Sequence, residues 1–188
     1  MGKANVSRDI DMTASLSLAP EQLLKTDDIE QLITAVAKAA EKDFKEHSAN
    51  GGTGLSDVEV SIEFEGYKTT SFESVDIEAV RKMSETELED IIGEAVVTIS
   101  ATDNGIEHEA YHSHDRYSPD EPAYVEGLDD ADIKSEVIEY IKDAFDKFDV
   151  EVADYEVDEY SAPDWDDVMF KREESARESA AEMAYEDF

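Results

Sequence analysis

A chain of 188 residues with 40% hydrophobic content is long enough to bury one real core, yet 50 acidic against 16 basic residues set its net charge at −34 and its pI near 4.1. A polyanion of this density is repelled by nucleic acid and by anionic membranes, which argues against direct binding to either and points to basic surfaces or cations as partners. With no cysteine, disulfides, thiol nucleophiles and Cys-ligated zinc are excluded.

The acidity is uneven. Residues 1–94 hold 21 acids and 9 bases, whereas 95–188 hold 29 and 7. Met1 to Pro20 lacks an apolar run of signal-peptide length, and nothing approaches the ~20 apolar residues of a membrane span, so the expectation is a cytoplasmic chain. Clear periodicities, eight Tyr and seven Phe argue against disorder of the body.

In chain order, Asp9 to Leu18 alternates Ile10, Met12, Ala14, Leu16 and Leu18 with polar residues, which is the pattern of a half-buried strand. Pro20 ends it. Asp27 with Glu30 reads as a helix N-terminus, and Ile29, Leu32, Ile33, Val36, Ala37, Ala40 and Phe44 form one helical stripe running to about His47. The glycines of 48–54 lack the Lys-Ser/Thr ending of a phosphate loop. Val58, Val60, Ile62 and Phe64 mark a second strand with an acidic outer row. Glu65-Gly66 then suggests a tight turn into 67–72 that sets Glu63 opposite Lys68. A helical stretch from about Val75 restarts at the capping-box pattern Ser84-Glu85-Thr86-Glu87 and ends at Gly93.

Asn104-Gly105 between the alternating runs 96–102 and 106–113 is the strongest short hairpin signal in the chain. A two-residue turn there pairs 101 with 108, 99 with 110 and 97 with 112. Residues 115–128 read as a polar loop with a short extended piece around Tyr124. Ile133, Val137, Ile138, Ile141, Ala144, Phe145 and Phe148 give an amphipathic helix with an anionic wet side. Asp149 to Tyr160 alternates carboxylates with Val and Tyr at strand period. Pro163 opens a last helical stretch with a weak stripe through Trp165, Met169, Arg172, Ala176, Ala180 and Met183. The expected architecture is α+β: an antiparallel sheet of about five or six strands with helices mainly on one face. Residues 1–162 form the single domain, and 163–188 a C-terminal acidic helix or arm, with packing on the body, partner binding and a frayed, peripheral tail all open to it.

Catalytic signatures are missing: no Gly-x-Ser-x-Gly, His-Glu-x-x-His or dinucleotide fingerprint occurs. No enzyme activity and no cofactor are expected. His108, His112 and His114 have metal-ligand spacing, but half-buried hydrogen-bonded histidines are the commoner outcome, so they stand as weak candidates and no metal is expected. The Asp143/Asp146/Asp149 series lacks the mid-loop glycine of a calcium loop. With 50 acids, paired carboxylates carry no catalytic signal.

What remains is the acidity itself. Acids two apart on a strand lie about 6.8 Å from one another and repel by roughly 0.6 kcal/mol per pair even in bulk water, so stability does not explain the rows. A compact chain of this length is about 40 Å across, and a duplex of that length carries roughly 24 charges. In composition and size the chain resembles the DNA-mimic inhibitors that phages and mobile elements direct against restriction or CRISPR nucleases, a resemblance that carries no residue roles with it. The expected function is therefore a non-enzymatic inhibitor that occupies the basic cleft of a nuclease or defence complex through outward acids of the C-terminal half: Glu136, Glu139, Asp143, Asp146, Glu151, Asp154, Glu156, Asp158, Asp166 and Asp167. The alternatives are an acidic virion, assembly or chaperone-like interaction protein, marked by an apolar docking patch such as the Trp165 tail, and a salt-adapted globular binding domain. Against the last stand 11 Lys and 5 Arg, since salt adaptation usually cuts lysine in favour of arginine.

Overall fold

In a computed structural model the chain is described over residues 4–48, 54–71, 73–108 and 124–186. Its centre is an antiparallel six-stranded sheet that curls into a half-barrel, giving the α+β architecture. Strand β1 (Ala4–Leu18) lies between β4 (Ile91–His108) and β6 (Val152–Ser161), and β2 (Gly54–Thr69) flanks β4 on its other side. The two-residue β3 (Ser74–Val75) closes the β2 edge, and β5 (Tyr124–Glu126) pairs with β4 at Ile106–His108, where β2 has run out.

Alternation decides the faces. Along β1, Val6, Ile10, Met12, Ala14, Leu16 and Leu18 are buried, and along β4 Ala95, Val97, Ile99 and Ala101 are buried at the same parity. Helix α2 (Ile29–Ser48) packs Ile33, Val36, Ala40 and Phe44 onto this face, and α5 (Asp130–Asp146) adds Ile133, Val137, Ile138, Ile141, Ala144 and Phe145. Among the expected stripe residues, Phe148 lies past the helix end and is partly exposed. Short helices α1 (Pro20–Leu24), α3 (Ile77–Val80) and α4 (Glu85–Leu88) turn Leu23, Val80 and Leu88 to the same core. The α2 N-terminus is capped by Asp28, which accepts from Gln31 N at 3.1 Å, so the cap sits one residue beyond Asp27. The capping box at Ser84 and Glu87 forms as expected.

Three local expectations are corrected. No hairpin forms at Asn104-Gly105: β4 runs straight through, with Asn104 opposite Ser7 on one side and Gly54 on the other. Neither residue adopts the positive φ that such a turn demands. Asn104 instead donates to the Gly54 carbonyl and to Ser56 Oγ, and a Cβ at Gly105 would stand 2.4 Å from Val125 Cγ1 and 3.1 Å from the Trp165 ring. This glycine allows close packing rather than a turn. Glu65-Gly66 is likewise no turn. Glu63 pairs with Val96 and Lys68 with Ile92, and Gly66, at φ +112°, sits at a β-bulge. Gly93, expected to end a helix, is inside β4, since α4 stops at Leu88.

Strand β6 keeps its Val and Tyr residues on the core face by means of two bulges. The apolar positions change parity between Val152 and Tyr155 and again between Val157 and Tyr160, and the register against β1 skips Ala153 and Asp158 at those points. Each extra residue restores the inward side. Helix α6 (Trp165–Glu186) then leaves the body: Trp165, Val168 and Met169 are half-buried, and residues 170–185 are exposed.

Candidate interaction surface

The face of the sheet opposite the helices carries the polar half of every alternation. Cross-strand register assembles it in rows over β2, β4, β1 and β6: Glu59, Ser100, Asp11 and Ser161, then Ser61, Thr98, Thr13 and Glu159, then Glu63, Val96, Ser15 and Glu156. Ser17 and Asp154 follow, beside Glu94, and Asp9 stands at the other end. Serine and threonine hydroxyls run up the middle, with carboxylates to either side. Two of these hydroxyls hold acids in place: Ser15 Oγ donates to Asp158 Oδ2 at 2.6 Å and Ser100 Oγ to Asp11 Oδ1 at 3.2 Å. Among the described residues three open hollows border this face, one of them, of about 400 Å³, where Glu41 and Lys45 of α2 meet Glu59, Ser61, Thr98 and Ser100 at the β2 side. Another of about 430 Å³ is bounded by Asp11, Thr13, Asp158 and Glu159, and the third, of about 290 Å³, by Asp9, Asp11, Asp57 and Glu59.

Cations are distributed unequally. Helices α2 and α5 set five lysines (Lys38, Lys42, Lys45, Lys134 and Lys142) among ten acids. Strands β1, β2, β4 and β6 hold thirteen acids and two such cations, Arg8 and Lys68. Lys68 is paired with Glu94, and Arg8 is buried on the other side of the sheet.

The ten carboxylates expected to bind a partner divide between these regions. Glu136, Glu139, Asp143 and Asp146 lie along α5, in the helical layer, where His47 approaches Glu136 and Lys142 approaches Glu139 at 4.0 Å each. Asp154, Glu156 and Asp158 belong to the open face through their pairing and hydrogen bonds with β1. Glu151 precedes β6, its carbonyl accepting from Ala19 N, and Asp166 and Asp167 occupy the first turn of α6. All but the half-buried Glu136 are exposed, and β6 is the strand that links the two regions. Of the histidines, His108 is described only as the last residue of β4, backbone-paired with Tyr124, so its expected face-sharing with Ala101 through a hairpin does not arise. His112 and His114 lie outside the described residues. Among the described residues no group of three or more acids and histidines is arranged to hold a metal ion.

A charged cluster unforeseen in the sequence sits at one end of the core. Arg8 and Asp103 face each other directly across β1 and β4, and Arg8 Nε donates to Asp103 Oδ2 at 2.9 Å. Its Nη2 donates to Asp130 Oδ1 at 2.8 Å and its Nη1 to the Pro163 carbonyl at 3.0 Å, while the guanidinium lies 4.7 Å from the Trp165 ring centroid. Tyr160 also donates to Asp130 Oδ1, at 2.9 Å. One arginine thus ties the start of α5, the end of β6 and the start of α6 to the sheet. Burial opposes the Arg8 charge, but Asp103 and Asp130 more than offset it and hold the group above its usual value. Burial pushes the Asp103 carboxyl up against the pull of Arg8, and its Oδ1 finds no donor among the described residues. Burial, then the bond to Asp130, push the Tyr160 phenol far above its ordinary range. The readable signal was parity: Arg8 falls in step with Val6 and Ile10, and Asp103 with Ile99 and Ala101.

No helix among the described residues is long and apolar enough to cross a membrane. No protein-family model matches the chain, and a search of curated proteins finds no match either.

Proposed function

We propose that this protein is a non-enzymatic acidic decoy that inhibits a nucleic-acid-binding enzyme, of the anti-restriction or anti-CRISPR kind, by filling its basic cleft with carboxylates in place of phosphates. The observation that carries the reading is that thirteen acids ride on four paired strands with two cations among them, so the charge is fixed in space. A merely solubilising surface needs no such rigidity, whereas a decoy loses less entropy on docking if its charges are already placed. Binding to a nuclease or defence complex captured from host lysate is expected to weaken steeply between 50 and 500 mM salt, roughly as phosphate contacts do, and to be displaced by duplex or guide nucleic acid. Affinity that stays flat across that range, or a ternary complex with the nucleic acid, defeats the proposal. The isolated protein is expected to stay folded in dilute buffer; unfolding there with recovery in molar salt supports salt adaptation instead.

A second reading, an acidic assembly or chaperone-like protein, draws on α6. Trp165 is turned inward over Arg8 and is no docking anchor, but Phe170 is 64% exposed and Tyr185 84% exposed on a helix that leaves the body. Stoichiometric oligomers on a sizing column, lost in Phe170→Ser/Tyr185→Ser, favour this reading over the decoy.

A further inference from the structure

We propose that the contact is made by the open face of the sheet, and that this face seats an arginine- and lysine-rich protein surface along β2, β4, β1 and β6; the inference rests on the decoy reading for the identity of the partner. Every helix that buries side chains does so against the other face, through Leu23, Phe44, Val80 and Phe145 among others, and α2 reaches this one at the β2 edge, where Glu41 accepts from Val60 N and Lys45 borders Glu59 and Ser61. From Asp9 to Ser17 the face runs about 27 Å, and four strand widths make it about 19 Å across. That is a plan area of about 510 Å², roughly two thirds of the ~800 Å² that one partner presents in an ordinary interface.

Charge density matches what the partner evolved to meet. A duplex 27 Å long carries about 16 phosphates, of which about half face any one side. The open face carries nine exposed carboxylates, two from β1, three from β2 with Asp57 among them, and four from β6. The acid-lined hollows on either side of Asp11 are where long basic side chains would seat, and Asp11 borders both. On the helical layer, by contrast, acids already have cations at hand, as in Lys147 with Asp43 at 2.6 Å and Lys42 with Glu46 at 3.7 Å. The most concentrated strand-borne charge therefore includes Asp9, Asp11, Glu59 and Glu63 of the N-terminal half, with Lys45 of α2 bordering Glu59 at the β2 edge, although the C-terminal half has the larger net charge.

The test compares two variants of the full chain with the same change in net charge. One is Asp9→Asn/Asp11→Asn/Glu59→Gln/Glu63→Gln on the open face; the other is Glu21→Gln/Glu30→Gln/Glu46→Gln/Asp132→Asn on exposed positions of the helices. Labelled deca-arginine peptide is titrated against each at about 0.15 M salt, with circular dichroism confirming the fold. The open-face variant is expected to bind about tenfold or more weakly than the parent, and the helix variant within about twofold. Equal losses, a larger loss in the helix variant, or no binding of the peptide by the parent overturn the assignment. The decoy reading is scored separately, by whether the parent displaces nucleic acid from a nuclease. Failure there with the peptide result intact removes the proposed target and leaves the surface, whereas displacement that survives in the open-face variant removes the surface and leaves the decoy.

Discussion

On the covered side of the sheet, α2 and α5 intersperse lysines with their acids and pair several of them, as in Lys142 with Glu139 and Lys147 with Asp43. On the open side, Lys68 is the cation that the register places among the strand carboxylates, and Glu94 already holds it. The open-side carboxylates come from β1, β2 and β6, drawn from both halves of the chain, so the contrast is not a by-product of one acidic segment. It shows that repulsion is relieved where packing is needed and left standing where the surface is free.

The largest effect expected from breaking this division is at Arg8. Replacing it with leucine leaves Asp103 buried without its cation and frees the start of α6, at a cost of about 3–5 kcal/mol in urea unfolding. The faces themselves are tested by neighbours on β1: Leu16→Ala is expected to cost about 2–5 kcal/mol, and Ser17→Ala to stay within about 0.5. Similar losses at both positions contradict the assignment of faces. Gly105→Ala drives a methyl toward Val125 and Trp165, so about 1–3 kcal/mol should be lost. Emission from Trp165, the sole tryptophan, should shift to the red.

A smaller effect is expected in alkali. Burial first, with further contributions from neighbouring acids at Tyr140 and Tyr160, raises the phenols of Tyr67, Tyr140 and Tyr160. A raised folded value gives stability that is complete below the ordinary tyrosine range near 10 and is lost as pH climbs toward the folded value. Thermal melts should therefore fall above pH ~10, with a shallower slope in Tyr160→Phe. An unchanged slope would place Tyr160 in water rather than against Asp130.

Much of the fold was legible because its strongest signals are local. The β1 alternation, the α2 and α5 stripes and the Ser84–Glu87 capping box each lie within one element. Asn104-Gly105 misled for a reason of range: β1 and β2 pair with β4 on both flanks, down to Ala4 opposite Glu107, and that ladder outweighs the preference of two residues for a turn. Parity changes in 152–160 encoded the bulges, but only the partner strand reveals which residue is extra. The open face was out of reach for the same reason. Asp11, Glu59 and Glu156 become one surface only through a register that joins residues from both halves of the chain.

Strand β6 closes the sheet path with an outer edge that no strand pairs among the described residues. A ten-residue edge of this kind is a template for a second chain. Two copies laid edge to edge would bring Asp154, Glu156, Asp158 and Glu159 of one against those of the other, so the acids also act as a guard against self-templated fibres. In acid strong enough to discharge carboxylates that guard disappears, and storage near the isoelectric point, rather than at neutrality, is the condition under which this protein should polymerise.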